Sequence, residues 1–197
     1  MLATQPGETL TMRPARPADQ QPLARMIHHR SAWLRERGLL GWDAAADELA
    51  AQAADPHIPM WVLTHDNAVI GCTSLYEQSP PWFWTDQERA EPAIFMATTV
   101  IDARYAGRQL GCRLAWSVLD HAARTGNTWV RRGTTEAGLV RYYRDKQGWR
   151  VIRARQRDGF TVTGLARRAT PMPHLGITWR HDTPAPSGEG TGTTLRR

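Results

Sequence analysis

The sequence predicts a mixed α/β domain, in which helices flank one central β-sheet. Short β-branched runs alternate along the chain with segments whose apolar residues recur every three or four positions, which is the helical period. Two pairs of predicted strands are joined by the tight-turn sequences Asp66-Asn67 and Asp158-Gly159, which favour antiparallel hairpins. A strand-helix-strand unit lies between the two hairpins, as expected for a mixed α/β domain.

The first part of the chain is predicted to form one strand, two helices and a hairpin. The first helix begins after Asp19, a suitable N-cap residue, and ends at Gly38 or Gly41. The second helix is rich in alanine, and its narrow apolar face indicates light packing. The predicted ranges are strand 10–14, a helix from 20 to 38 or 41, helix 43–54, and strands 60–65 and 68–75.

The second part begins with a segment, 77–92, whose prolines, tryptophans and acids predict a loop with at most a short helix at the sheet edge. Apolar residues from Leu110 to Arg124 then form a clear helical stripe that Gly126 ends. The predicted ranges are strand 93–101, helix 110–124, strand 127–132, helix 138–146, and strands 149–155 and 160–168.

Residues 10–170 are therefore predicted to form the domain. Residues 1–9 are expected to be a flexible leader, and residues 171–197, rich in proline, glycine, serine and threonine, a tail that is disordered from about 183. No apolar run approaches the roughly 18 residues of a membrane span, and no secretion signal is evident. Two cysteines without metal-ligand spacing fit a reducing compartment. We expect a cytoplasmic protein without membrane contact or metal.

The charge of the chain differs between its halves. The net charge of +6 divides into −5 for residues 1–100 and +11 for residues 101–197. A basic half suits a polyanionic ligand and an acidic half a cationic one, although the abundance of arginine also fits GC-rich coding. The sequence has no sustained basic stripe interleaved with aromatics and no helix-turn-helix or zinc-finger pattern, so a nucleic-acid partner is not expected.

Residues 100–119 combine a β-branched run, a turn of small residues and a helix. This order places several backbone N–H groups at a helix N-terminus, where partial positive charge favours a phosphate. A glycine before a helix is more often only a turn, and the flanking motifs decide between the two interpretations.

Three motifs in order resemble the GCN5-related N-acetyltransferase family over about residues 10–170. Residues 106–111 correspond to its acetyl-CoA signature, Q/R-x-x-G-x-G/A, from which Ala106 and Gln109 depart. Residues 101–107 match, imperfectly, the family's run of a β-branched residue, Asp, Pro, two residues, a basic residue and Gly. Residues 142–149 resemble its tyrosine, short helix, Gly-aromatic motif, with one more residue than usual before the glycine. The resemblance implies a central, mostly antiparallel sheet with splayed central strands.

The same resemblance implies a coenzyme A site on the turn. The pyrophosphate would lie on the backbone N–H groups of residues 107–111, where Gln109 in place of glycine would crowd the phosphate or need an unusual backbone angle. Arg104 or Arg108 could offset the basic residue missing at 106, and the main chain of the preceding strand would bind pantetheine. The implied cofactor-binding residues are Val100, Ile101, Arg104, Gly107, Arg108, Gln109, Leu110, Gly111 and Cys112.

Acetyl transfer requires a neutral amine, a donor for the oxyanion and a proton for the departing thiolate. A tyrosine hydroxyl can supply that proton, and motif position favours Tyr143, with Tyr142 second because the extra residue shifts the helical register. A main-chain N–H near Val100 is the expected oxyanion donor. Glu77 and Glu91 are the candidate bases, and a solvated loop acid is the alternative for each.

The helix and loop segments that wall the acceptor cleft in this family carry four tryptophans here. Tryptophan beside carboxylates would suit a cationic amine through cation–π contact, although core or dimer packing explains such residues equally well. The candidate residues are Trp33, Trp42, Trp82 and Trp84.

The sequence thus predicts an acetyl-CoA-dependent N-acetyltransferase that acts on the primary amine of a small molecule. Two alternatives stay open: a coenzyme A-binding or catalytically silent regulatory module, and an acetyltransferase acting on protein or aminoacyl-tRNA. A homodimer is also compatible with the pattern.

Overall fold

A computed structural model describes residues 10–181, so the predicted leader at 1–9 and the disorder predicted from about 183 lie outside the described residues. The strands, in chain order, are β1 (Leu10–Pro14), β2 (Met60–His65), β3 (Ala68–Tyr76), β4 (Ala93–Ile101), β5 (Trp129–Thr134), β6 (Arg150–Arg157), β7 (Phe160–Arg168) and β8 (Ile177–Trp179). The helices are α1 (Gln20–Arg35), α2 (Ala46–Ala51), α3 (Asp86–Arg89), α4 (Leu110–Arg124) and α5 (Ala137–Gln147). The predicted mixed α/β fold class is confirmed.

The described strands form one sheet in the order β6-β7-β5-β4-β3-β2-β1-β8. Its neighbouring strands are antiparallel except for two parallel pairs, β4 with β5 and β1 with β8. α4 connects the central parallel pair, as a β-α-β unit requires. The sheet is therefore mixed and mostly antiparallel, as the sequence predicts.

The central strands separate along their length. β4 pairs with β5 only from Ala93 to Met96, opposite Trp129 to Arg132. Beyond Met96, β4 continues to Ile101 beside β3, and no pairing with β5 is present. The predicted splay is confirmed, and it leaves a gap between the carboxyl ends of β4 and β5.

Helices cover both faces of the sheet. α4 and α5 cover one face, and the predicted apolar stripe of α4 is buried there at Leu110, Leu114, Ala115, Val118, Leu119 and Ala122. α1 and α2 pack on β2 to β4 from the other face. Among residues 10–181 no helix is both long enough and apolar enough to cross a lipid bilayer. Each face therefore has its own apolar core, and the gap between β4 and β5 lies between them.

Three details differ from the sequence prediction. Asp19 precedes α1 but does not cap it, because its carboxylate accepts hydrogen bonds from Arg13 and from the N–H of Arg16. The predicted helix 43–54 is a short α-helix between two 3₁₀ turns. β8, which the sequence does not predict, pairs with β1. Three residues are too few to show the alternation by which a strand is recognised.

The segment 77–92 is held against β5 to β7 by a buried aromatic pair and an ion pair. Phe83 and Trp84 pack on Ala166, and a Cβ at Gly164 would stand 2.2 Å from the Phe83 ring. Arg153 of β6 forms a bidentate ion pair with Glu88 of α3, at 2.5 and 2.9 Å. The predicted short helix in this loop is therefore α3, docked on the sheet.

Candidate active site

One buried aspartate holds the turn that follows β4. The Asp102 carboxylate accepts the backbone N–H of Arg104 at 2.9 Å and its guanidinium at 2.6 and 3.0 Å. Burial alone would raise the pKa of Asp102, but the hydrogen bonds from Arg104 outweigh burial and lower this pKa. The charge of Arg104, a predicted substitute for the basic residue missing at 106, is thus matched within the turn.

Gly107 opens space next to the helix start. Its φ is +81°, and a Cβ built there would meet nothing within 4 Å. Of the five N–H groups predicted to hold a pyrophosphate, that of Arg108 donates to the Tyr105 carbonyl at 3.2 Å. Within residues 10–181, those of Gly107 and of 109–111 have no acceptor, as expected before the first helical turn. Four donors and open space are compatible with a bound phosphate.

Gln109 takes the backbone conformation that glycine usually supplies at this position. Its φ and ψ are 56° and 20°, in the left-handed region. Of the two outcomes that the sequence leaves open for Gln109, crowding of a phosphate or an unusual backbone angle, the structure shows the unusual angle. A residue with a Cβ adopts it at a cost of about 1–2 kcal/mol, so the departure from the family signature strains the turn without preventing it.

Val100 and Ile101 lie on the half of β4 that has left β5. They pair with β3, opposite Cys72 and Gly71, and their other edge faces the gap. The Val100 side chain is buried. Main-chain groups on the free edge are thus available to a ligand in the gap, in the place where the family resemblance implies pantetheine.

A β-bulge marks the point where β4 separates from β5. Thr98 has a φ of +46°, although a β-branched residue strongly disfavours this region. The Thr73 hydroxyl donates to the Ala97 carbonyl at 3.0 Å and lies 3.0 Å from the Thr99 hydroxyl. Strain held by hydrogen bonds is a feature that concentrates at functional sites.

Tyr142 lies against the first turn of α4. Its hydroxyl is 3.0 Å from the Cys112 Sγ, and a Cβ at Gly111 would be 4.0 Å from that hydroxyl. Burial, followed by the hydrogen bond to Cys112, raises the pKa of Tyr142 to about 12. Tyr142 is 37% exposed and therefore accessible from the helix start.

Tyr143 points to the end of β5 instead. The Arg132 Nη2 donates a 2.8 Å hydrogen bond to its hydroxyl, and the Arg132 Cζ lies 3.6 Å from the centre of its ring. Tyr143 is 8% exposed and Arg132 5% exposed. Burial lowers the pKa of Arg132. The two consecutive tyrosines thus have different partners and unequal access to ligands.

Arg30 of α1 interacts electrostatically with the same tyrosines. Burial of its guanidinium and repulsion from Arg37 lower the pKa of Arg30, whereas the Tyr142 and Tyr143 phenols act in the opposite direction. The Arg30 Cζ lies 4.2 Å from the centre of the Trp33 ring, and the Arg37 Cζ lies 3.8 Å from it. Trp33, a predicted contact for a cationic amine, already binds two cations of its own chain.

The two predicted bases have separate environments. Glu91 precedes β4 and pairs with the buried Arg131 at 3.1 Å. Glu77 lines a separate cavity of about 790 Å³ together with Ile94 and His121. Ile94 lies on the part of β4 that pairs with β5, three residues before the free edge begins. The role of either carboxylate as a base stays a prediction.

The remaining predicted tryptophans have three different environments. Trp42 packs partly buried against the α1–α2 core, and its backbone N–H donates to the Ser31 hydroxyl at 2.8 Å. Trp82 is partly buried beneath Arg157, whose Cζ is 4.5 Å from its ring. Trp84 is only 3% exposed and belongs to the core beneath the 77–92 segment. For Trp84 the environment is that of a core residue, which is the alternative given above for these tryptophans.

Sequence reasoning did not single out Arg30 and Arg132 as site residues. The sequence could have indicated both, because each arginine stands on an apolar face: Arg30 follows Ile27 at helical spacing, and Arg132 shares a strand face with Val130. A charged residue at a core-facing position is uncommon. Within the described residues, no group of three or more His, Cys, Asp or Glu side chains is placed to hold a metal ion.

Comparison with known proteins assigns the chain to a family. The sequence profile of the Acetyltransferase (GNAT) family matches residues 24–149, which is more than half of the chain. No curated protein matches the chain in sequence.

Solved structures share the fold. A GNAT-family acetyltransferase from Streptococcus agalactiae 2603 is 13% identical, with a TM-score of 0.64, and the match covers 81% of this chain and 95% of that one. One from Listeria monocytogenes 4b F2365 is also 13% identical, with a TM-score of 0.61 and coverage of 84% and 98%. An aminoglycoside 6'-N-acetyltransferase complexed with coenzyme A is 13% identical, with a TM-score of 0.52 and coverage of 81% and 95%. The chain belongs to the acetyltransferase (GNAT) family.

Proposed function

We propose that this protein transfers the acetyl group of acetyl-CoA to a primary amine of a small molecule. One observation carries the proposal: four backbone N–H groups without acceptors in residues 10–181 border open space at the start of α4, beside the gap between β4 and β5. Such a set of donors at a helix N-terminus suits a pyrophosphate. That a structure of similar fold holds coenzyme A supports the same ligand.

In the proposed mechanism the chain binds both substrates and manages one proton. Acetyl-CoA supplies an acetyl thioester, which a neutral amine attacks to form the amide and release the thiol. The N–H groups of Gly107 and 109–111 hold the pyrophosphate, and the free edge of β4 at Val100 and Ile101 binds pantetheine. A main-chain N–H near Val100 stabilises the oxyanion.

We assign the proton of the departing thiolate to Tyr142 rather than to Tyr143. Tyr142 is the more exposed of the two and borders the first turn of α4, whereas Tyr143 is buried with its hydroxyl on Arg132. A pKa of about 12 keeps Tyr142 protonated at neutral pH, as a proton donor must be. Motif position alone favours Tyr143, so the choice needs a test of both residues.

Thermal-shift titration with acetyl-CoA, followed by a thiol-release assay, tests the function. Ligand at 100 times its Kd stabilises a folded protein by about 2.7 kcal/mol, which corresponds to about 5–10 °C in Tm for a chain of this size. Thiol release is then measured with amino acids, polyamines and aminoglycosides as acceptors. Absence of any shift contradicts the proposal, and a shift without thiol release from any amine indicates a coenzyme A-binding module instead.

A further inference from the structure

Five arginines of β6 and β7 lie on one face of the sheet. Residues that pair directly across antiparallel strands share a face, and every arginine of β6 pairs with an even-numbered position of β7. β7 itself ends on another even-numbered arginine. Leu165, at an odd position, is buried in the core beneath α4, so the even positions face the other side of the sheet. These residues, the arginine face, are Arg150, Arg153, Arg155, Arg157 and Arg168.

A β-bulge in β6 aligns this row. Side chains alternate between the two faces of a strand, so Arg150 and Arg153 would point to opposite faces in a regular β6. The pairing register shifts between Val151 and Arg153, which inserts one extra residue into β6. The row therefore runs from Arg150 to Arg157, over about 23 Å at roughly 3.3 Å per residue.

Aromatic side chains lie beneath the guanidiniums. The Arg168 and Arg150 Cζ atoms lie 5.0 and 5.9 Å from the centre of the Trp129 ring. The Arg157 Cζ lies 4.5 Å from the centre of the Trp82 ring. A guanidinium held over a ring keeps the N–H groups at its edges for another partner. Because such a side chain is already placed, it loses less conformational freedom when a ligand binds.

Three of these five arginines have no acidic partner. β5, β6 and β7 contain no Asp or Glu, so the acids that reach this face come from outside the three strands. Glu88 pairs with Arg153, and Asp158 pairs with Arg157. The arginine face therefore keeps uncompensated positive charge toward solvent. Within residues 10–181, its exposed members without an ion pair are Arg150, Arg155 and Arg168.

A phosphate backbone is the ligand that this chemistry favours. A planar guanidinium binds phosphate oxygens through two parallel N–H···O bonds, and a regular row of guanidiniums matches a polymer of phosphates better than a single anion. The rings at this face are covered, since Phe83 and Trp84 are only 2% and 3% exposed. They cannot stack on unpaired bases, as the rings of single-strand binding sites do. In a duplex the bases are already stacked, and contacts to phosphates suffice.

We propose that the arginine face binds the phosphate backbone of a nucleic-acid duplex. It shares no residue with the proposed acetyl-CoA site, and its binding does not depend on acetyl transfer. A row of about 23 Å covers about two thirds of a duplex turn of roughly 34 Å. Contacts to phosphates carry no sequence information, so binding should not depend on the base sequence. No such basic stripe is visible in the sequence, because the arginines and rings come from separate segments that meet only in the fold.

Fluorescence anisotropy with a labelled DNA duplex of about 20 base pairs tests the proposal on the intact protein. We expect a Kd of about 1–100 μM at physiological salt, the range of sequence-independent binding. The association constant should fall with salt at a log–log slope of about −2.7 to −4.5, which corresponds to three to five phosphates. A duplex of scrambled sequence should bind equally. A single strand of the same length, polyglutamate and vesicles containing phosphatidylserine should bind at least about 10-fold more weakly.

Matched triple variants assign the binding to this face. Glutamine in place of the three arginines without ion pairs should make the salt slope shallower by about 2.7 and weaken binding by about 10-fold or more. Lysine at the same positions keeps the charge and should keep most of the affinity. Glutamine at three exposed arginines elsewhere changes the net charge equally and should leave the slope at the parent's value. The tested set is Arg150→Gln, Arg155→Gln and Arg168→Gln, and the control set is Arg25→Gln, Arg141→Gln and Arg180→Gln.

An equal loss of binding in both glutamine sets would reflect net charge alone and would overturn the proposal. It is also overturned if polyglutamate, vesicles or a single strand bind as tightly as the duplex, or if no duplex binds at about 50 mM NaCl and about 100 μM protein. The comparison of probes uses the parent protein, so it does not depend on the folding of any variant. Thiol release from acetyl-CoA is measured separately, and failure of either proposal leaves the other standing.

Discussion

Gly107 and Gly126 are matched positions, and comparing substitutions at the two separates an effect on the proposed coenzyme A site from the effect of backbone strain. Both have a φ of +81°, and a Cβ at either position would meet nothing within 4 Å. Alanine in the left-handed region costs about 1–2 kcal/mol, and lower entropy of the unfolded chain returns about 0.4–1 kcal/mol. Gly107→Ala and Gly126→Ala should therefore each destabilise the protein by about 1 kcal/mol, or about 2–4 °C in Tm.

Only one of the two glycines borders the start of α4. Gly107 precedes α4 among the N–H groups proposed to hold the pyrophosphate, whereas Gly126 follows the end of that helix. A methyl group at 107 stands where phosphate oxygens would approach. Loss of one hydrogen bond to a charged group costs about 1.5–3 kcal/mol, so Gly107→Ala should weaken acetyl-CoA binding by about 10- to 150-fold. Gly126→Ala should leave the Kd unchanged.

Isothermal titration calorimetry with acetyl-CoA at 15–25 °C, well below the two melting temperatures, measures the difference directly. Thermal melts without ligand confirm that the two variants share the same loss of stability. An unchanged Kd in Gly107→Ala, or an equal weakening in both variants, would show that the phosphates bind elsewhere and would refute the assignment of this turn.

Four further substitutions test other parts of the structure. Tyr142→Phe should lower kcat by about 100-fold and leave the acetyl-CoA Kd unchanged, whereas Tyr143→Phe should chiefly lower Tm by stranding Arg132; the reverse pattern in steady-state kinetics and melts would restore Tyr143 as the proton donor. Gln109→Gly should raise Tm slightly, because relief of about 1–2 kcal/mol of strain exceeds the entropic cost of glycine, and a fall in Tm would contradict the strain. Arg153 lowers the pKa of Glu88 to about 2 from its usual 4.5, so this pair stabilises the fold above pH 4.5 and its contribution is lost as the pH falls from 4.5 towards 2. Glu88→Gln should therefore cost about 1–2 kcal/mol at pH 7, and urea titrations at pH 7 and pH 3 should show a smaller gap at pH 3.

The periodic parts of the fold could be predicted from the sequence because their signal is local. The apolar stripe of α4 and the Asp158-Gly159 turn express short-range rules, and the observed α4 and the hairpin of β6 and β7 match them within two residues. The strained angle at Gln109 was equally local, since it follows from a glycine position occupied by another residue.

The arrangement of the site could not be predicted, because it depends on contacts between distant segments. Cys112 and Tyr142 are 30 residues apart in the sequence, and the packing of α5 on α4 brings the Tyr142 hydroxyl to 3.0 Å from the Cys112 Sγ. The sequence predicts Trp33 as a contact for a cationic amine, but Arg30 and Arg37 lie over its ring. The ion pair of Glu91 with Arg131 could not be predicted for the same reason, since the two residues are 40 positions apart.

The bulge at Thr98 bears on how the molecule meets its ligand. The left-handed Thr98 and the hydrogen bond from the Thr73 hydroxyl to the Ala97 carbonyl belong to the fold of β4 itself, so the proposed pantetheine site needs no rearrangement of this strand. Because the gap between β4 and β5 forms during folding, ligand binding requires little further ordering of the protein and is not slowed by a conformational change. The bulge keeps one edge of β4 free of strand pairing, and a β4 without it could pair with β5 along its length and close the gap.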